Sequence, residues 1–141
     1  MYCLVWCFLI SASAGLKAQN IVDPDDPTSW MVNSASLANS MNIYAVIDVA
    51  GVESIDENDV IGIFVAGTNE IRGVASPEYV VSQDRYIANI FVYSDEGMGD
   101  PDGLSILVYD ASIDRVLPST TFYTFLANDI IGSFREPDTI E

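Results

Sequence analysis

Glu57 to Ser76, ENDVIGIFVAGTNEIRGVAS, decides the fold. Val60 to Ala66 is apolar at nearly every position, so a strand here needs cover on both faces. Gly67-Thr68-Asn69 supplies residues that tolerate positive φ, and reads as a hairpin turn. Glu70 to Ser76 returns as a second strand with one arginine, Arg72, in its middle, and Pro77 stops it.

The same grammar extends in both directions. Upstream, Asn42 to Ala50 places Ile43, Ala45, Ile47 and Val49 on one face by strict alternation. Trp30-Met31-Val32-Asn33 reads as a short first strand and Ser34 to Ser40 as a loop. Gly51 to Asp59 is a connection rich in acid. Downstream, Tyr79 to Ser82 is a short edge strand, and Gln83-Asp84-Arg85 is a turn. Tyr86 to Tyr93, YIANIFVY, is the strongest β-run, rich in aromatic and β-branched residues. Leu104 to Asp110 is another central strand, Arg115 to Leu117 a short one, and Thr121 to Ala127 the last clear one. No segment holds a helical period over ten residues. About eight or nine short strands with regularly spaced turn signals predict an all-β fold, an antiparallel β-sandwich of jelly-roll or Ig-like type.

The ends read differently. Residues 1–19 carry an apolar run from Leu4 to Leu16, too short for a membrane span of about 20 residues and suited to a signal peptide. No basic residue precedes that run. Trp6 and Tyr2 stand before Cys7 and Cys3, where a lipidated cysteine needs a small neighbour, so lipidation is not expected. Asn20 to Ser29, NIVDPDDPTS, reads as a linker, residues 30–137 as the sandwich domain, and residues 138–141 as a polar tail. The expected location is therefore secreted or cell-surface, with no membrane span once the leader is removed.

Charge narrows the partners. The 141 residues hold five Lys plus Arg against 21 Asp plus Glu, a formal net charge of −16, with no His. Such a surface repels phosphate backbones and anionic membranes, which excludes nucleic acid as a partner. It attracts cations, with Ca²⁺ foremost outside cells. The loop SDEGMGDPDG offers Asp95, Glu96, Asp100 and Asp102 as candidate Ca²⁺ ligands, with glycines for sharp turns. The alternative is a solvated acidic loop. Asp56, Asn58 and Asp59 form a second and weaker candidate, and turn chemistry explains those three equally simply.

Catalytic chemistry has little to work with. Both cysteines and the lone lysine, Lys17, lie in the leader, and the chain has no histidine. That removes Ser-His and Cys-His nucleophile systems, His or Cys zinc sites and lysine Schiff bases. Only a carboxylate pair remains, so no enzyme activity is expected. Most tyrosines sit in strands and read as core or rim packing. Tyr79, following Pro77 on the predicted edge strand, is the one candidate ligand-binding ring. Arg72 reads as the structural partner of a nearby carboxylate.

One order of motifs carries a resemblance. It runs through Trp30, Ser40-Met41-Asn42, Asp59-Val60-Ile61-Gly62-Ile63-Phe64-Val65 and Arg72-Gly73-Val74-Ala75. It continues with Tyr93, Val108-Tyr109-Asp110-Ala111, Ile131-Gly132-Ser133 and Pro137. From Trp30 to Pro137 this resembles the β-sandwich repeat modules of secreted Bacteroidota proteins, often found upstream of a type IX secretion sorting domain. The resemblance implies an exported module, frequently in tandem, without an established activity. It carries over no functional residue. The sequence holds one such module and no sorting domain, as expected of a fragment or a stand-alone subunit. The function expected is a non-enzymatic module for protein interaction, adhesion or spacing. The alternative is a carbohydrate-binding module with Ca²⁺-stabilised loops. Its partner would be a protein or a glycan at the cell surface.

Overall fold

β1 (Asn39–Val49) is the strand around which one sheet assembles. Its alternation holds: Ile43, Ala45 and Ile47 point into the core and are at most 2% exposed. The computed structural model describes residues 20–95 and 103–141, so the expected leader and most of the 95–102 loop lie outside the described residues.

Nine further strands follow among the described residues: β2 (Val52–Glu53), β3 (Val60–Val65), β4 (Ile71–Ala75), β5 (Glu78–Val80), β6 (Arg85–Ser94), β7 (Leu104–Asp110), β8 (Arg115–Pro118), β9 (Ile130–Ile131) and β10 (Asp138–Ile140). They form two sheets, the all-β sandwich expected. The first has the order β10-β1-β6-β5, with β2 and β9 also on β1. The second has the order β4-β3-β7-β8. One edge of β1 pairs antiparallel with β6, from Asn39↔Ser94 to Ala45↔Ala88. The other edge is shared by two short strands in turn, β9 on Asn42 and Ile43 and β10 on Ala45 to Ile47. β2 folds back antiparallel on Asp48 and Val49, and its Glu53 pairs with Arg85 of β6. The β9 and β10 pairings are parallel.

Two cores result. The main one lies between the sheets and joins Met41, Ile43, Ile47, Ile61, Ile63, Ile90, Val92, Leu104 and Ile106. The second lies on the outer face of the β4-β3-β7-β8 sheet, where Trp30 meets Phe64 edge-on at 5.6 Å and packs with Ile71. β3 is thus covered on both faces, as its unbroken apolar run requires. Gly62 leaves room for this cover, because a Cβ there would stand 2.9 Å from the Trp30 ring.

Four local expectations change. Asn20 to Ser29 is not a free linker. Its prolines and aspartates do not ladder, but Asp26 caps a short 3-10 turn by accepting from the Thr28 amide, and Ile21 bridges Glu70 at the edge of β4. The Ile71 amide donates to the Asn20 carbonyl at 2.8 Å, and the Trp30 indole donates to the Asp23 carbonyl at 3.1 Å. Trp30–Asn33 forms no strand, since its role is to lay Trp30 over Phe64. Thr121 to Ala127 does not ladder either. Tyr123 exchanges backbone bonds with Leu104 in one sheet, and the Asn128 amide donates to Ser40 in the other. The segment crosses between sheets, burying Tyr123 and Phe125 on the way. Finally, the expected tail contains β10, because Ile140 is fully buried in the main core.

Candidate functional site

The acidic connection before β3 folds back on itself. Asp56 Oδ1 accepts from both the backbone amide and the side-chain amide of Asn58, each at 2.8 Å. The Asp59 amide donates to the Asp56 carbonyl at 3.2 Å. Ser54 joins the two acids: its hydroxyl donates to Asp59 Oδ2 and accepts from the Asp56 amide. Asp59 Oδ1 takes the Ala111 amide at 2.9 Å, from the turn between β7 and β8. Local turn chemistry therefore orders Asp56 and Asn58. Asp59 does more, because it ties two loops far apart in sequence.

That tie floors a cleft of about 410 Å³ at one end of the sandwich. Val49, Val52 and Ile55 line it from β1, β2 and the following connection, opposite Asp59, Asp110 and Ser112. Asp59 is 3% exposed and Asp110 8%. Asp110 Oδ1 accepts from the Ser112 amide and hydroxyl, which fixes the turn above it. The ion pairs formed among the described residues are Arg72 with Glu70 and Asp95, and Arg85 with Glu53. Asp56, Asp59 and Asp110 are in none of them. At the rim, Val52 is 69% and Ile55 75% exposed.

Asp95 stands elsewhere. It follows β6, at the end of the sandwich where Val65 pairs with Leu104, and it pairs with Arg72 at 3.8 Å. Asp59 stands at the other end of β3, whose six residues span roughly 20 Å. Asp95 and Asp59 therefore cannot share one cation. Glu96, Asp100 and Asp102 lie outside the described residues. Among the described residues no group of three or more acidic, His or Cys side chains is placed to hold a metal.

Arg72 is buried, with 7% exposure, and its NH1 also donates to the Tyr93 carbonyl at 3.4 Å. It has the structural carboxylate partners expected of it. Tyr79 is 44% exposed and lines a separate shallow hollow with Glu57, Pro77 and Glu78. Its hydroxyl donates to Asp84, and that bond holds the phenol above its usual pKa. Its ring leans on Tyr86 at 50°. Tyr44 and Phe134 meet at 58°. These pairs are tilted and offer no flat double platform for a sugar ring.

Val52, Ile55 and Asp110 join the site through the fold rather than through any motif. Two signals point to them. Apolar residues interrupt an otherwise acidic connection, GVESIDEND, and Asp-x-Ser at residues 110–112 is a turn that fixes a carboxylate. No family model, curated protein or solved structure matches the chain. Fold and geometry define a class: an all-β sandwich with an acidic, apolar-lipped cleft at one end.

Proposed function

We propose that the chain is an exported, non-enzymatic β-sandwich module that binds a partner protein through the loops at one end. The supporting observation is the pair of solvent-facing side chains, Val52 and Ile55, on the lip of a cleft held by a rigid scaffold. Large apolar side chains left exposed beside a concavity favour a binding surface. Export rests on the apolar leader, and the family-like motif order from Trp30 to Pro137 agrees with it. The non-enzymatic reading rests on the residue types: no histidine, and no cysteine or lysine beyond the leader. Tilted rings favour a protein partner over a glycan.

The test has two readouts. Protease applied to intact cells should cleave the module, and the purified chain should turn over no glycan or peptide substrate. Retention in the cytoplasm, or robust hydrolysis, would overturn the proposal. Calcium at the 95–102 loop belongs to the same reading. It requires a melting midpoint that rises with Ca²⁺ and falls with chelator, and a flat response removes it.

A further inference from the structure

The cleft has a chemistry that selects its occupant. Its floor holds two buried carboxylates, Asp59 and Asp110, that form no ion pair among the described residues. Arg115 is the register partner of Asp110 across β7 and β8, yet it stays exposed and forms no ion pair with it. Backbone and hydroxyl donors satisfy hydrogen bonding at the floor, but they do not neutralise its charge. Val49, Val52 and Ile55 set apolar surface beside that negative floor.

The volume of about 410 Å³ lies within the usual range for ligand pockets of roughly 300–1,000 Å³. A second hollow of about 250 Å³ lies across Val49, which lines both. Val108, Leu117 and Pro118 line that hollow and make it largely apolar.

Resting on the module reading, we infer that this end of the sandwich binds an extended peptide segment of a partner protein. A lysine or arginine enters the acidic cleft, and an apolar neighbour fills the hollow beyond Val49. A basic side chain fits both features of the cleft: its aliphatic stem packs on Val52 and Ile55 while its head meets the floor carboxylates. A bare divalent cation fits less well. It needs six or more oxygen ligands, and among the described residues no group of three or more acidic side chains is placed to hold one.

The probe is acetyl-Val-Lys-Val-amide, titrated into the purified chain without its leader and followed by amide NMR shifts. Its control carries norleucine in place of lysine, and Ca²⁺ alone is a third titrant. The lysine peptide should shift the Ala111 and Ser112 amides saturably. The norleucine peptide should bind about tenfold more weakly, for want of the charge-assisted bond. Asp110→Asn keeps the Oδ1 acceptor for Ser112 and removes the charge. It should weaken the lysine peptide and leave the norleucine peptide unchanged. Ile55→Ser, at an exposed position that does not threaten folding, should weaken both.

Equal binding of the two peptides would overturn the inference. So would Ca²⁺ displacing the lysine peptide, shifts confined to the Tyr79 hollow, or no shift at all. A chain that ignores both peptides yet stays surface-exposed and without turnover loses this inference and keeps the module reading.

Discussion

The Asp59 carboxylate accepts the Ala111 amide at 2.9 Å, across 52 residues of sequence, and so fastens the connection before β3 to the turn after β7. Asp59→Ala should cost about 1–3 kcal/mol, since the half-buried Ala111 amide loses its partner. Asp59→Asn retains an oxygen at that position and should recover most of the loss. Urea midpoints of the two variants check this; equal destabilisation would show that charge, rather than the acceptor, matters.

Trp30 is the keystone of the second core. Trp30→Ala should destabilise the chain by about 3–5 kcal/mol, although the residue belongs to no strand. Proteolysis should then begin within residues 20–36. A variant as stable as the parent would mean that the covering segment contributes nothing.

At Gly73, β4 of one sheet lies close against β6 of the other. A Cβ there would lie 2.9 Å from the Phe91 carbonyl oxygen, with Val92 and Ile90 methyls at 3.2 and 3.3 Å. Gly73→Ala should therefore lower stability by roughly 1–3 kcal/mol through overpacking. Thermal melting measures it, and an unchanged midpoint would mean that the β4–β6 approach relaxes freely.

Burial raises the Tyr123 phenol well above its usual pKa of 10.0, and its hydrogen bond to Asp138 at 2.8 Å adds to this. The folded state then holds the proton more tightly than the unfolded one. Its contribution is complete below pH about 10 and is lost as pH climbs beyond, because the unfolded chain releases its proton first. Stability should fall by up to about 1.4 kcal/mol per pH unit in that window from this group. Tyr123→Phe should remove that part of the slope, and denaturation series at pH 9 to 11 compare the two. Parallel curves would rule the residue out as the source.

Ile140 lies fully buried between β1 and the core. Ile140→Ala should cost about 2–5 kcal/mol, readable as a lower urea midpoint. A neutral substitution would be inconsistent with β10 as an integral strand.

The sheets were legible because their signals are local. Ile43, Ala45 and Ile47 alternate within a few residues, and the two-faced apolarity of Val60 to Val65 demanded two covers, which Trp30 and the main core supply. Three features depend on distant partners and left no local trace. A run such as Thr121 to Ala127 alternates identically whether it ladders or crosses between sheets. β10 contributes a single apolar residue, Ile140, to a polar stretch. The packed role of Asn20 appears only through Asn33 and Ile71. Asp56 and Asp59 stood out as acids, but the cleft did not: it needs Ala111 and Asp110, supplied by β7 and its turn, to give it a floor.

The parallel pairing of β10 with β1 sets an order of assembly. β1 is among the first strands synthesised, and the partner covering Ala45 to Ile47 is among the last. Ribosome-bound intermediates therefore hold that edge open, and closure awaits release of nearly the whole described chain. Contacts so distant in sequence make folding slow.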